Sequence, residues 1–237
     1  MPQSYWIEEY RKKASMPNPI AQSGRGRQFD AIEFLYVVKQ VMELLNLNKE
    51  HALLDVGCGN GLLDIILSSC CHRVTAIEPV EELVALARQN LQGCPNTSVT
   101  VGHGADIPAP DDSFHRSLVF GVLQLIPLQE AEMTFQELYR VTCSGGSILF
   151  GSIPDVGHRD EFLTPYLSEV RSARHIPEGQ KDEIVNRNLS AFWHDPAELM
   201  DWWTSRGCSA TLHPLVSQDP NHDHRFHLVV GVEKMKR

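Results

Sequence analysis

An open α/β sheet, mostly parallel and covered by helices on both faces, is the fold that this sequence predicts. Three observations predict it. Short apolar runs alternate with helical stretches from residue 52 to residue 150, the first run ends in a glycine-rich turn, and the rhythm changes only after Pro154. Strand–helix–strand units of this spacing close as right-handed crossovers, so neighbouring strands run the same way.

The elements follow in order. Between Phe29 and Leu45 the apolar residues Ile32, Leu35, Tyr36, Val38, Val41, Met42 and Leu45 recur at steps of three and four, which marks a helix with one buried face. Ala52 to Val56 is a short apolar run ended by glycines, hence a buried parallel strand. Leu62 to Cys70 reads as the next helix. Arg73 to Ile77 is a second strand, and Val80 to Leu91 a second helix closed by Gly93 and Pro95. Ser98 to Val101 and Ser117 to Val122 are the third and fourth strands, with Leu128 to Val141 the helix behind the fourth. Ser147 to Phe150 is the fifth, reached through Gly145 and Gly146. Residues 155–192 read as irregular helices interrupted by Pro165 and Pro177. Asp195 caps a helix that starts at Pro196 and runs to Arg206. Strands near Ala210 to Leu212 and from Phe226 to Val232 bring the sheet to seven, the C-terminal one antiparallel.

One domain over 1–237 is therefore expected. It comprises an N-terminal lid segment (1–28) carrying Tyr5, Trp6 and Tyr10, a ligand-binding half (29–154), a helical insertion over the substrate (155–192), and a C-terminal helix with strands (193–237). A hydrophobic content of 42% and a charged content of 22% are those of an ordinary globular protein. No apolar stretch approaches the ~18 residues that span a bilayer. The first residues hold the acidic pair Glu8-Glu9 and no apolar core, unlike a secretory signal, so a cytoplasmic location without membrane insertion is expected. A formal charge of −9, from 21 basic and 30 acidic residues, argues against a nucleic-acid partner. Six cysteines with an adjacent Cys70-Cys71 pair and no CxxC spacing read as reduced thiols.

The chemistry concentrates at three consecutive strand tips. Asp55-Val56-Gly57-Cys58-Gly59-Asn60-Gly61 is a strand running into a glycine turn that opens a helix. Glycines let backbone approach a ligand, and the helix start offers N–H groups suited to a carboxylate. Glu78 ends the next strand 21 residues after Gly57, where an acid accepts hydrogen bonds from ribose hydroxyls. Gly104-Ala105-Asp106-Ile107-Pro108 follows the third strand; there Asp106 would accept from an adenine amino group while Ile107 packs on the ring.

At these residues the chain resembles the class I S-adenosylmethionine-dependent methyltransferases, in particular their small-molecule branch, over about residues 22 to 233. The family's glycine motif matches Asp55 to Gly61, its strand-two acid matches Glu78 with Pro79 after it, and its adenine-contacting acid matches Asp106. Its strand-four segment matches Phe114 to Pro127, which brings Phe120 to the cofactor. Two positions depart from that pattern: His115 replaces an acid, and Gln124-Leu125 replaces a histidine pair. In Gln22-Ser23-Gly24-Arg25 the arginine resembles one that meets the methionine carboxylate.

The resemblance implies a Rossmann-like fold, S-adenosylmethionine as cofactor with S-adenosylhomocysteine as product, and in-line methyl transfer to a hydroxyl, amine or carbon of a small molecule. Alignment is the main task of such a protein, with a general base needed for a hydroxyl acceptor. His194, beside Phe192 and Trp193, is the candidate base. Phe162, Tyr166, Trp202 and Trp203 join those two aromatics as walls for a ringed acceptor or as core. The run His222-x-His224-x-x-His227 lacks the spacing of a metal site, and no metal is expected. Two other readings stay open: a cofactor-binding protein without catalysis, and an NAD-dependent oxidoreductase, whose third glycine would fall at Leu62. The oligomeric state is not legible.

Overall fold

The computed structural model describes residues 3–23 and 30–234. Strands β1 (Ala52–Val56), β2 (Arg73–Glu78), β3 (Thr97–Val101), β4 (Phe114–Phe120), β5 (Thr142–Pro154), β6 (Ser209–Pro214) and β7 (Arg225–Gly231) form one sheet in the order β3-β2-β1-β4-β5-β7-β6. β1 to β5 pair in parallel, and β7 runs antiparallel between β5 and β6. The expected seven-stranded, mostly parallel α/β architecture is what the chain forms. Helices α1 (Gln3–Ala14), α2 (Pro19–Ser23), α3 (Ala31–Leu44), α4 (Leu62–Leu67), α5 (Glu81–Asn90), α6 (Leu128–Val141), α7 (Arg159–Ser172), α8 (Glu178–Leu189) and α9 (Pro196–Thr204) surround it.

The strand pleat sorts the core into two layers. Leu53, Leu118 and Leu149 pack against Val37, Val41 and Leu45 on one face. Leu54, Val119, Ile148 and Phe150 face the opposite way, onto Phe135, Leu138 and Trp203. Phe135 meets Phe150, Trp202 and Trp203 with ring centroids 5.1–5.6 Å apart, so these two tryptophans belong to the core.

β1 and α6 have the limits read from the sequence, and the other elements of the parallel half differ by a few residues. β5 is the exception. It extends from Thr142 to Pro154, because the Gly145-Gly146 pair lies within an irregular stretch of its pairing with β4 instead of preceding the strand. α3 starts at Ala31 because Asp30 forms a capping box: its carboxylate accepts from the Ile32 and Glu33 N–H groups, and Glu33 accepts from the Asp30 N–H. Asp195 caps α9 as expected, accepting from the Ala197 N–H. His115, which stands where the resemblance gives an acid, accepts at Nδ1 from the Ala52 N–H, which opens β1. No helix among the described residues is long and apolar enough to cross a membrane.

Candidate active site

β1 delivers the chain to Gly57, Gly59 and Gly61, whose φ angles are 79°, 59° and 75°. That left-handed region costs glycine little and strains other residues. Space adds a second reason at Gly57, where a Cβ would stand 2.4 Å from Val122 Cγ2. The Gly57 N–H donates to the Ile77 carbonyl at 2.8 Å, tying the turn to the end of β2. Glu78 sits at that end. Its Oε2 accepts from the Gly59 N–H and its Oε1 from the Val80 N–H, both at 3.0 Å. Burial pushes its carboxyl up to about 7, against the downward pull of those two N–H groups.

A cavity of about 580 Å³ opens over this turn. Gly57, Cys58, Gly59, Asn60, Glu78 and Pro79 form its floor, and Phe120 stands at its side. Trp6 and Tyr10 of α1 roof it, packed on Val80 and Leu83. α2 closes the same side, since Asn60 Nδ2 donates to the Pro19 carbonyl and to Gln22 Oε1, both at 2.8 Å. The far end is aromatic: Phe162 and Tyr166 from α7, then Trp193. Cys58 is held as a neutral thiol, because burial and the acids Asp64, Asp55 and Glu78 push its pKa well up.

Several expected site residues lie elsewhere. Asp55 does not line the cavity. It shares the pleat side of Leu53 and points beneath α4, where Asp64 is fully buried. Burial, then the Asp64 charge, pushes Asp55 well above the ordinary carboxylate range, while burial raises Asp64 to about 7 against a hydrogen bond from Asp55. Both carboxyls are thus pushed toward the protonated form, and Asp55 lies beneath the glycine turn, outside the cavity lining. Ala105, Asp106 and Ile107 do not line the cavity either. Asp106 is exposed, and Ile107 is buried in the core beside α6. The cause is Arg140 of α6, which donates to the carbonyls of Ile107 and Ala109, while Glu137 accepts from the Ile107 N–H. These bonds draw the loop onto α6. Arg25 lies outside the described residues.

His194 is also a correction. It is buried away from the cavity, with Nε2 donating to the Leu123 carbonyl at 2.9 Å, and burial lowers its pKa. Its backbone links Pro154 and Val156, so its work is structural. His194→Ala is expected to cost about 1–3 kcal/mol by stranding that buried carbonyl. Urea denaturation would show this, with binding in the cavity kept at wild-type strength. Of the other histidines, His227 accepts from the Ser152 N–H at Nδ1 and donates to Gln40 Oε1 from Nε2. His224 stacks on Phe162 with centroids 3.9 Å apart. Burial lowers both to about 4. No histidine lines the cavity among the described residues.

Sequence reasoning missed Gln124 and Arg225. Gln124, where the resemblance gives a histidine, is buried on the cavity wall and accepts from Arg225 Nη2 at 2.8 Å. The contact joins residues 101 positions apart, and no local pattern announces it.

Residues 54–150 match the family model of a methyltransferase domain. A protein-L-isoaspartate O-methyltransferase from Rhodopseudomonas palustris is 35% identical over 94 residues, covering 39% of this chain and 44% of that protein. The chain thus spans less than half the length of this curated relative. Phosphoethanolamine N-methyltransferase 1 from Haemonchus contortus, solved with phosphoethanolamine and S-adenosylhomocysteine, superposes with a TM-score of 0.73 at 8% identity, over 99% of this chain and 50% of that one. A SAM-dependent methyltransferase from Aquifex aeolicus gives 0.59 at 16% identity, over 97% and 98%. At such identities the superpositions show the shared fold. The matched stretch holds the glycine turn and the Glu78 tip, so residues 54–150 are similar to a methyltransferase domain, set in a sheet of the fold that these SAM-dependent methyltransferases share.

Proposed function

We propose that the protein transfers a methyl group from S-adenosylmethionine to a small molecule held in the same cavity. The observation that carries this reading is Glu78, a buried carboxylate fixed by two backbone N–H groups at the floor of a 580 Å³ cavity beside the glycine turn. Each of its oxygens retains acceptor capacity for a ribose hydroxyl. The turn with its three glycines suits the amino-acid end of the cofactor, and the volume falls within the ~300–1,000 Å³ of small-molecule sites. Residues Gly57 to Asn60, Glu78, Pro79 and Phe120 would hold the cofactor. When bound, it supplies an activated methyl on a sulfonium.

The chain's own part is enclosure and alignment. α1 and α2 cover the cofactor side, while α7 and Trp193 wall the acceptor side. Alignment behind the methyl group accounts for the rate. A covered cavity supports a small acceptor over a peptide inserted into an open groove. Six free cysteines support a reducing, cytoplasmic setting. Calorimetric titration with S-adenosylhomocysteine tests the reading: one site with micromolar or tighter affinity is expected, and absence of heat and of any thermal shift overturns it. Labelled S-adenosylmethionine incubated with small-metabolite pools then reads transfer itself. Exclusive labelling of protein would overturn the small-molecule part.

A further inference from the structure

We infer that the methyl acceptor carries a planar, uncharged aromatic ring, and that Tyr166 is the residue that selects it. The inference rests on the methyl-transfer reading above and specifies its substrate class.

A set of near-parallel rings carries it. Phe162 and Tyr166, one helical turn apart on α7, face the same side, and their rings stack with centroids 5.4 Å apart and 14° between planes. His224 lies on Phe162 at 3.9 Å and 18°. Phe162 and Tyr166 line the cavity, whereas His224 is buried behind it. Tyr166 touches no ring other than Phe162 among the described residues, so it ends the stack on the cavity side. The imidazole is the footing of this platform. Burial lowers it to about 4, so the footing is a neutral ring near pH 7.

Each part is fixed before a ligand arrives. His224 hangs from the turn between β6 and β7, where the buried Asp219 accepts at Oδ1 from the Asn221 N–H at 2.8 Å and from Asn221 Nδ2 at 3.0 Å. The His224 N–H donates to the Asn221 carbonyl at 3.3 Å, and its own carbonyl accepts from the Asp155 N–H at 3.0 Å. Pro220 and Asn221 of the same turn line the cavity. Trp193 is held through its neighbours: the Phe192 N–H donates to the Gln124 carbonyl and the His194 N–H to the Pro154 carbonyl, both at 2.9 Å. Its ring stands 6.0 Å from Phe162, tilted by 44°. A flat platform beside a tilted wall suits a flat ring, which can stack offset on Tyr166 and present its edge to Trp193. A saturated ring covers the same surface but lacks the quadrupole that favours this stacking. A cation is held by ring faces that converge on it, and two rings only 14° from parallel give no such convergence.

The test uses the full chain saturated with S-adenosylhomocysteine. 2-Naphthol and phenol are titrated beside their saturated counterparts, decahydro-2-naphthol and cyclohexanol, and beside tetramethylammonium, by ligand-observed NMR. At least one aromatic alcohol is expected to bind about threefold to tenfold more tightly than its saturated counterpart. Tyr166→Leu should remove that preference while its S-adenosylhomocysteine affinity, which reports folding, stays within about twofold; Tyr166→Phe should keep it. Where Tyr166→Leu does not bind S-adenosylhomocysteine, Phe162→Leu takes its place under the same criterion. No aromatic preference in either pair for the wild type, tetramethylammonium bound more tightly than both aromatic alcohols, or a preference that survives the leucine variant overturns the inference and leaves methyl transfer standing. Failure of the wild type to bind S-adenosylhomocysteine overturns both.

Discussion

Gly57→Val is expected to destabilise the protein by about 2–5 kcal/mol and to remove ligand binding over the glycine turn. Two costs add. A β-branched residue at φ +79° meets its own carbonyl, at about 1–2 kcal/mol for the left-handed region. The new Cβ also overlaps Val122 Cγ2 at 2.4 Å, and overpacking of this kind costs about 1–3 kcal/mol. Val122 cannot swing aside cheaply, because its own branched side chain is stiff at χ1. Relief must come from the backbone, which breaks the 2.8 Å bond from the Gly57 N–H to Ile77 and displaces Glu78 next to it. Urea denaturation and titration with S-adenosylhomocysteine measure the two effects. A variant with the wild-type midpoint and intact affinity would refute the geometry assigned to the turn.

Glu78→Ala is expected to weaken S-adenosylhomocysteine binding by about 1–3 kcal/mol, the scale for losing hydrogen bonds to a charged group. Its pH dependence is sharper still. Burial raises the folded pKa to about 7 from the ordinary 4.5. An acid raised in this way stabilises the fold most below the unfolded value, and that contribution is lost as pH climbs through the folded one. The ionised form that best accepts ribose hydroxyls is thus the form that strains the empty protein. Glu78→Gln should raise the melting temperature of the ligand-free protein above pH 7 and match the wild type near pH 4. Wild-type affinity should rise from pH 6 to pH 8, while that of Glu78→Gln stays flatter. Asp55 and Asp64 titrate nearby, so the difference between the two proteins is the informative quantity. Parallel binding curves would remove Glu78 from the ribose.

The parallel half of the fold was legible because its signals are local. An apolar run, a glycine turn and a helical period each need fewer than about 15 consecutive residues. Gly57, Gly59 and Glu78, read by the same local logic, line the cavity, as do Pro79 and Phe120, which the family resemblance pointed to. Asp55 and Ile107 escaped because nearness along the chain does not fix which way a side chain points. The pleat turns Asp55 under α4, and a distant arginine, Arg140, turns the 105–107 loop onto α6. The aromatic list was sorted only in three dimensions: Phe162, Tyr166 and Trp193 face the cavity, whereas Trp202 and Trp203 pack against Phe135. His194 looked available because its neighbours are aromatic, but the Leu123 carbonyl that holds it lies 71 positions away.

Asn60 fastens the cover of the chamber to its floor, through Pro19 and Gln22. Roof and base are therefore joined through one side chain. An engineer who transplants the first helices onto another methyltransferase domain would have to carry Asn60 along, or α2 would lose its two bonds to the glycine turn. Conversely, a change of that single amide alters how tightly the cap sits without touching any atom of the cap itself.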